Sequence, residues 1–185
     1  MVLLENRDVT LGTACPDFDL PTVDGGRFAR RDVTGKAALV VMFICNHCPY
    51  VQAVEDRYVA LAHEYGPRGV QFVGVCANDP AGYPEDAPPR LLERWREKRY
   101  GFPYCVDATQ AVARAFDAVC TPDIFVYDAG LRLAYHGRID DDWKEPEKVR
   151  RRELAAALDA LVAGRRPSDR QHHSIGCSIK WKDAS

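Results

Sequence analysis

The chain has 185 residues, of which 46% are hydrophobic and 28% are charged, and its formal net charge is −2. This balance is typical of a globular protein and excludes collagen-like repeats, coiled coil and general disorder. The near-neutral charge excludes a basic field that would attract nucleic acid, and the longest apolar run, residues 37–45, is far shorter than the about 20 residues that cross a bilayer.

The first 76 residues carry four predicted elements. Turn residues Asp24-Gly25-Gly26 indicate a hairpin, and the rest of residues 1–36 is irregular, so we interpret this part as an N-terminal extension. The continuous apolar run that follows contains several β-branched residues and is typical of a strand buried on both faces. In chain order, the elements are a hairpin with arms at 18–20 and 27–29, a strand at 37–44, a helix that begins near Val51 and ends at Gly66-Pro67, and a strand at 71–76.

The second part of the chain predicts a mixture of strands and helices. Residues 77–101 are rich in turns and are interpreted as a central insertion, and residues 164–185 as a polar C-terminal tail. The elements are a helix around Leu91, Leu92 and Trp95, a strand at 104–106, a short helix at 109–116, a hairpin with arms at 124–127 and 131–135, and a last helix from near Pro146 to Ala163. Parallel crossovers followed by an antiparallel hairpin predict an α/β fold in one domain over residues 1–185, with a mixed sheet flanked by helices.

Seven cysteines carry most of the functional information. They are Cys15, Cys45, Cys48, Cys76, Cys105, Cys120 and Cys177. An odd number, in a chain whose start lacks the basic region of a secretory signal, argues against a secreted disulfide framework and predicts a cytoplasmic protein. Because no second CxxC or CxxH accompanies Cys45 and Cys48, we expect no structural zinc site and no other cofactor.

The predicted strand at 37–44 leads directly to Cys45, at the start of the next helix. Unpaired backbone N–H groups and the helix dipole favour an anion there, so they stabilise a thiolate. Cys48 lies one helical turn further on and can reach Cys45 to close a disulfide. We expect Cys45 to be the exposed nucleophile, and Cys48 to be the buried resolving thiol within the first turn of the helix.

Asn46 and His47 separate the two cysteines and are expected to tune them. A protonated His47 can donate a hydrogen bond to the Cys45 thiolate, which stabilises the reduced form. This predicts a reduction potential less negative than about −270 mV, a strongly reducing value among dithiol proteins. In a reducing cytosol such a pair rests mostly as the dithiol and acts as a reductant.

A Thr121-Pro122 pair precedes the predicted strand at 124–127. A strand, a CxxC motif, a helix and a downstream Thr-Pro before another strand together resemble the thioredoxin superfamily. The resemblance implies that Pro122 is cis and faces Cys45 and Cys48. It also implies that a substrate chain lies across Thr121 and Pro122 and pairs there as an extra strand.

Further motifs resemble the redoxin branch of that superfamily, which includes alkyl hydroperoxide reductase/thiol-specific antioxidant relatives and thioredoxin-like proteins of cytochrome maturation. They are ACPDFDLP at 14–21, CNHCPYV at 45–51, GRIDD at 137–141 and GCSIKWK at 176–182. The CNHC centre and this ending are similar to a bacterial peroxiredoxin-like subgroup. Two departures stand out: Met42 replaces the hydroxyl residue of peroxiredoxins, and Leu39 replaces the buried aspartate of thioredoxin. The missing hydroxyl favours dithiol exchange over peroxide reduction.

Three functions remain open. The first is a thiol–disulfide oxidoreductase in which Cys45 attacks and Cys48 resolves, with protein or small-molecule disulfides and thiols as partners and an unidentified thiol as electron donor. The alternative is a thiol peroxidase, in which a hydroperoxide oxidises Cys45 to sulfenic acid and Cys48 resolves it. The third is a copper- or metal-binding module that uses Cys45, Cys48 and His136.

Two further cysteines are candidate accessory thiols. Cys120 directly precedes Thr121, which the fold would bring near the CxxC motif. Cys177 lies in an otherwise polar tail and could reach the site as a resolving thiol. In the alternative interpretation, Ile179 and Trp181 merely anchor the tail to the rest of the protein.

Overall fold

A computed structural model describes residues 3–182 of the chain. Its strands and helices follow in chain order: β1 (Leu3–Glu5), β2 (Asp19–Pro21), β3 (Arg27–Ala29), β4 (Ala38–Phe43), α1 (Pro49–Tyr65), β5 (Val70–Cys76), α2 (Pro88–Glu97), β6 (Tyr104–Val106), α3 (Ala111–Ala115), β7 (Cys120–Thr121), β8 (Asp123–Asp128), β9 (Leu133–His136), α4 (Glu153–Val162) and β10 (Ile175–Ser178). None of the helices within residues 3–182 has the length and hydropathy of a membrane-spanning segment.

The central sheet has five strands in the order β6-β5-β4-β8-β9. The pairs β4–β5 and β5–β6 are parallel, whereas β4–β8 and β8–β9 are antiparallel. All six residues of β4 are buried, as the continuous apolar run predicts. Val40 and Met42 point to the face covered by α1 and α4, and Val41 and Phe43 to the face covered by α3. The predicted α/β fold with a mixed sheet between helices is therefore confirmed.

Helix α1 begins and ends where local chemistry requires it. Pro49 is its first residue, a position that has no intrahelical N–H partner to lose, and Gly66 caps its end. Val51, Val54 and Tyr58 recur at helical spacing and are buried against the sheet. The helix therefore holds its N-terminus at the end of β4, beside the cysteine motif.

The C-terminal segment takes part in a second sheet, β1-β10-β7, whose strands are all antiparallel. Strand β10 approaches β7 very closely, because a Cβ atom on Gly176 would lie 2.0 Å from the carbonyl oxygen of Thr121. Only glycine fits at that contact. Ile179 is buried beyond the strand, and the Trp181 ring packs under the Arg114 guanidinium. The predicted polar tail at 164–185 is thus built into the fold as far as residue 182.

The last helix begins later than the sequence predicts. Pro146–Lys148 forms a separate 3-10 turn, and α4 begins only at Glu153. The carboxylate of Asp141 accepts the backbone N–H groups of Arg150 at 2.8 Å and Arg151 at 3.0 Å. These bonds hold the intervening segment outside the helix, so the prediction of a start near Pro146 is wrong.

Candidate active site

Both cysteines of the CxxC motif contact Thr121, the last residue of β7. Because Phe43 of β4 pairs with Asp123 of β8, the end of β4 lies beside the segment that precedes β8. The Cys45 Sγ lies 3.3 Å from the Thr121 Oγ1, and the Cys48 thiol donates a hydrogen bond to the Thr121 carbonyl oxygen at 3.1 Å. The Thr121-Pro122 peptide bond is cis, as the resemblance implies.

The positions of the two sulfurs relative to the helix differ from expectation. Cys45 is only 2% exposed, so the prediction of an exposed Cys45 is wrong. Helix α1 begins at Pro49, which makes Cys48 its N-cap residue and leaves Cys45 three residues before it. The reason is the proline, whose fixed backbone angle starts the helix after the motif. The helix dipole therefore acts most directly on Cys48.

Burial and mutual hydrogen bonding set the charge of the pair. Burial, the hydrogen bond to Cys48 and the negative charge of Asp86 raise the pKa of Cys45 well above its ordinary value. The hydrogen bond from Cys45 lowers the pKa of Cys48 to about 5 against the effect of burial, and a hydrogen bond from Cys177 adds to the lowering. The pKa values of the two thiols therefore shift in opposite directions, and Cys48 is the more acidic of the pair.

Asp86 is a site residue that the sequence does not reveal. It is buried in the central insertion, and one carboxylate oxygen accepts the backbone N–H groups of Asn46 at 2.8 Å and His47 at 3.2 Å. The other oxygen accepts His47 Nδ1 at 2.5 Å and the side-chain amide of Asn78 at 2.8 Å. Burial opposes ionisation, but these hydrogen bonds outweigh it and hold the pKa of Asp86 below its ordinary value.

The prediction that His47 donates a hydrogen bond to the Cys45 sulfur is wrong. His47 is hydrogen-bonded to Asp86 rather than to the Cys45 sulfur, and its ring packs at a tilt against the Tyr83 ring, with centroids 4.1 Å apart. Its Nε2 atom is buried without a hydrogen-bond partner among the described residues. The histidine therefore links the cysteine loop to the insertion through a carboxylate whose negative charge raises the pKa of Cys45.

Asn46 also binds the insertion. Its side-chain amide donates hydrogen bonds to the carbonyl oxygens of Glu85 and Arg90, both at 3.0 Å. The side chain of Gln52 donates to the Asn46 carbonyl oxygen at 2.7 Å. Asn46 and His47 thus fix the loop between the two cysteines from the side of the insertion.

The two candidate accessory thiols lie on paired strands. Cys177 is fully buried and faces Thr121 across the β10–β7 pairing, and burial raises its pKa to about 12. Cys120 is fully buried as well, and its thiol contacts the Pro122 carbonyl oxygen at 3.7 Å. Of these two, only Cys177 belongs to the same buried cluster as Cys45 and Cys48.

The structure brings together a different set of possible metal ligands from the predicted Cys45, Cys48 and His136. Within residues 3–182, the three groups that could hold an ion are Cys45, His47 and Asp86, whose ligand atoms lie within 4.8 Å of one another. His136 is not among them, because its Nε2 is bonded to Asp123 at 2.7 Å. Both oxygens of Asp86 already accept two hydrogen bonds each, so the carboxylate is satisfied by protein donors and the set does not favour an ion.

A small groove opens beside Pro122. It has a volume of about 100 Å³ and is lined by Tyr50, Ile139, Trp143 and Ile175 among others. The rings of Tyr50 and Trp143 lie 4.4 Å apart, and Trp143 is the large apolar side chain that is most exposed in the described chain. The groove offers a largely apolar, aromatic surface beside Pro122, and Arg138, Asp140, Asp141 and His173 also line it.

Comparison with known proteins agrees with this architecture. A crystal structure of an uncharacterized conserved protein from Geobacillus kaustophilus is 44% identical, with a TM-score of 0.95 over 100% of this chain and 99% of that chain. A hypothetical protein from Sinorhizobium meliloti is 38% identical, with a TM-score of 0.91 over 97% and 99%. A thiol:disulfide interchange protein of the thioredoxin family from Chlorobium tepidum shares the fold at 24% identity, with a TM-score of 0.59 over 70% and 87%. No curated protein matches the chain.

Paired sulfurs beside a cis proline, on a sheet of this topology, define a protein of the thioredoxin superfamily, redoxin branch. The AhpC/TSA family model matches residues 11–136, more than half of the chain, so the protein belongs to the AhpC/TSA family. It is an oxidoreductase of this family.

Proposed function

We propose that the protein is a thiol–disulfide oxidoreductase in which Cys45 and Cys48 cycle between the dithiol and the disulfide. The observation that carries the proposal is the contact of both sulfurs with Thr121, directly before the cis Pro122. The two sulfurs also belong to the same cluster of buried side chains.

The reaction begins with a proton transfer within the pair. In the reduced pair, the lower pKa of Cys48 favours the thiolate on Cys48 and leaves the proton on Cys45. Cys48 takes that proton while the Cys45 sulfur attacks a substrate disulfide, and the displaced substrate thiolate is protonated by solvent. Cys48 then attacks the Cys45 sulfur, and its proton passes to the second departing substrate thiolate. The products are two substrate thiols and the Cys45–Cys48 disulfide.

Thr121 supports the attacking state of the pair. Its hydroxyl, 3.3 Å from the Cys45 Sγ, can donate to a thiolate there, and its carbonyl accepts the proton of a Cys48 thiol at 3.1 Å. Both contacts favour the charge on Cys45 and the proton on Cys48, the opposite of the resting distribution. One residue therefore lowers the free energy needed to move the proton before attack.

The direction of the proposed reaction is reduction of substrate disulfides. Stabilisation of the Cys48 thiolate stabilises the dithiol form, which supports a potential less negative than about −270 mV. In a cytoplasm poised near −220 to −260 mV such a pair stays mostly reduced. We propose that a cytoplasmic thiol returns the electrons after each turnover.

The proposed route of the substrate differs from strand pairing at Thr121. That edge is already paired with Cys177 of β10, so a substrate backbone cannot add there while β10 is in place. We propose that a disulfide with apolar neighbours approaches Cys45 from the groove of Tyr50 and Trp143 beside Pro122.

Trapping of the mixed disulfide tests the proposal. The Cys48→Ser variant is expected to form a stable mixed disulfide at Cys45 with oxidised glutathione, seen by mass spectrometry, because the resolving sulfur is missing. Cys45→Ser is expected to form none, and Cys105→Ser, which removes a buried thiol on the other face of the sheet, is expected to behave as the wild type. A folded Cys48→Ser variant that stays unmodified with glutathione disulfide and with an aromatic disulfide overturns the proposal.

A second candidate function is supported by the same threonine. The sequence lacks the peroxiredoxin hydroxyl near Cys45, yet Thr121 supplies a hydroxyl 3.3 Å from the Cys45 Sγ. Such a group can orient a hydroperoxide. Cys45 then attacks the hydroperoxide, which gives a sulfenic acid on Cys45 and releases an alcohol or water. Cys48 attacks the sulfenic acid, and water leaves as the Cys45–Cys48 disulfide forms. Stopped-flow oxidation by hydrogen peroxide separates the two functions, because a rate no greater than that of free cysteine excludes the peroxidase.

A further inference from the structure

We propose that Cys177 is a third redox-active thiol, which attacks Cys48 of the Cys45–Cys48 disulfide and moves the disulfide to Cys48–Cys177. The inference rests on the proposed function, since that reaction supplies the first disulfide. It assigns a chemical role to the C-terminal strand β10, which covers the site.

Strand pairing brings Cys177 to the side of the sheet where the cysteine motif lies. Cys177 is the direct antiparallel partner of Thr121. Side chains of directly opposed residues in an antiparallel pair lie on the same face. The Thr121 side chain contacts Cys45, so the Cys177 side chain lies on that same face.

The close fit of β10 fixes the thiol there. Gly176 approaches the backbone of Thr121 so closely that any Cβ would overlap the carbonyl oxygen. On the N-terminal side of the strand, the Ser174 hydroxyl donates to the Gly137 carbonyl oxygen at 2.7 Å. On its C-terminal side, the Lys180 N–H donates to the side chain of Asn78 at 2.8 Å. Cys177 is thus held from both ends of its strand.

Cys48 packs in the same part of the core as Cys177 as a result. Cys45, Cys48 and Cys177 belong to one cluster of buried side chains, and Cys177 is 0% exposed. Cys120 is equally buried on the adjacent strand, but it pairs with Ser178 and its thiol contacts the Pro122 carbonyl. Burial in this sheet is therefore not sufficient to bring a thiol to Cys48. The register of the β10–β7 pairing places Cys177, and not Cys120, on that face.

The exchange is balanced without an external oxidant. The Cys177 sulfur bonds to the Cys48 sulfur, the Cys45–Cys48 bond breaks, and the proton of Cys177 ends on the released Cys45 thiolate. No net oxidation occurs. The nucleophile Cys45 returns to its thiol form while the disulfide is held beneath β10, so Cys45 is free to meet a second substrate or the electron donor.

Disulfide mapping tests the inference. Cys45 and Cys48 share the tryptic peptide 37–57, whereas Cys177 lies on 171–180 and Cys120 on 115–132. The protein is oxidised with one equivalent of diamide, quenched in acid, alkylated and digested. In Cys45→Ala we expect peptide 37–57 to be linked to 171–180, with two free thiols fewer per chain than before oxidation. In Cys177→Ser we expect only the internal Cys45–Cys48 link, and in Cys120→Ser the same links as in the wild type.

The variants separate the failure of the two proposals. If Cys177→Ser forms no Cys45–Cys48 disulfide, the proposed function fails. If it does form that disulfide, and Cys45→Ala leaves 171–180 unlinked or linked to 115–132, the third thiol is refuted. Circular dichroism checks that each variant is folded, and Cys45→Ser replaces Cys45→Ala should the latter be unfolded. The same mapping is done on the oxidised wild type at pH 8. A fraction of these molecules is expected to have peptide 37–57 linked to peptide 171–180.

Discussion

Asp86 accepts the imidazole Nδ1 of His47 at 2.5 Å, and this bond joins the central insertion to the loop between the two cysteines. The same carboxylate holds the backbone N–H groups of Asn46 and His47. A buried carboxylate next to the cysteine pair is therefore supplied by the insertion, while the strand position that resembles the buried aspartate of thioredoxin is Leu39 in this chain. The geometry of the CxxC loop depends on a residue almost 40 positions away in the chain.

Replacement of Asp86 by asparagine is expected to weaken both the loop and the charge near Cys45. The amide keeps one acceptor oxygen but loses the negative charge and two charge-assisted hydrogen bonds, which costs about 2–3 kcal/mol of the free energy of unfolding. Because the Asp86 charge raises the pKa of Cys45, that pKa is expected to fall in the variant. Urea unfolding and thiolate absorbance at 240 nm measure the two effects.

Asp79→Asn is the matched control, since Asp79 lies in the same loop and, within residues 3–182, its carboxylate accepts only the N–H of Ala81. We expect it to change neither quantity. An Asp86→Asn variant as stable as Asp79→Asn would contradict the role given to the Asp86 carboxylate.

The stability of the protein is expected to fall in acid through the same residue. The pKa of Asp86 is lower in the folded protein than in the unfolded chain, so its contribution is complete above about pH 4 and is lost as the pH falls through the folded pKa. The free energy of unfolding, measured in urea from pH 6 to pH 3, should decrease more steeply in the wild type than in Asp86→Asn. Equal slopes would show that the carboxylate is not the group responsible.

Cys48 is expected to ionise far below an ordinary cysteine. A thiolate absorbance at 240 nm should appear with a midpoint near pH 5 and be absent in Cys48→Ser. The largest cause of the shift is the hydrogen bond from Cys45, so Cys45→Ala is expected to move the midpoint upward. Cys105→Ser is the control, because burial raises the pKa of Cys105 to about 12 and its removal leaves the titration near pH 5 unchanged. A midpoint above pH 8 in the wild type would assign the first proton loss to another sulfur.

The parts of the fold that could be predicted are those with local signals. The run at β4 is apolar at every position because both faces of the strand are covered, and that pattern is visible in the sequence. The CxxC motif and Thr121-Pro122 predict the meeting of β4, α1 and β8, which the contacts of Thr121 confirm.

Residues that act through long-range contacts carry no such signal. Asp86 lies in a turn-rich segment where acidic residues are ordinarily solvated, and only the folded chain turns it towards the cysteine loop. Strand β10 has four residues within a polar tail, and its pairing partners β1 and β7 are distant in sequence. The exposure of Cys45 could not be predicted either, because the C-terminal segment and the insertion that cover the site are separate in the sequence.

The hydroxyl of Thr121 is expected to speed the reaction of Cys45. Thr121→Val keeps the shape of the side chain but removes the group 3.3 Å from the Cys45 Sγ. A hydrogen bond to a charged sulfur contributes about 1.5–3 kcal/mol, so the rate of glutathione disulfide reduction should fall about 10- to 100-fold. Thr34→Val, an exposed threonine before β4, is the control and should leave the rate unchanged. A Thr121→Val enzyme with the wild-type rate would limit Thr121 to its backbone contacts.

Substitution of Gly176 tests whether β10 controls access to the buried sulfurs. In Gly176→Ala the new Cβ would lie 2.0 Å from the Thr121 carbonyl oxygen, and neither backbone segment can yield without breaking the β10–β7 pairing. We expect the free energy of unfolding to fall by about 1–3 kcal/mol and the alkylation of Cys48 and Cys177 by iodoacetamide to become faster at pH 7. Gly82→Ala is the matched control, because no atom of the described chain lies within 4 Å of its Cβ position and its backbone is not left-handed. If both variants react at the wild-type rate, β10 is not what protects these thiols, and access to Cys45 depends on the insertion that holds Asp86.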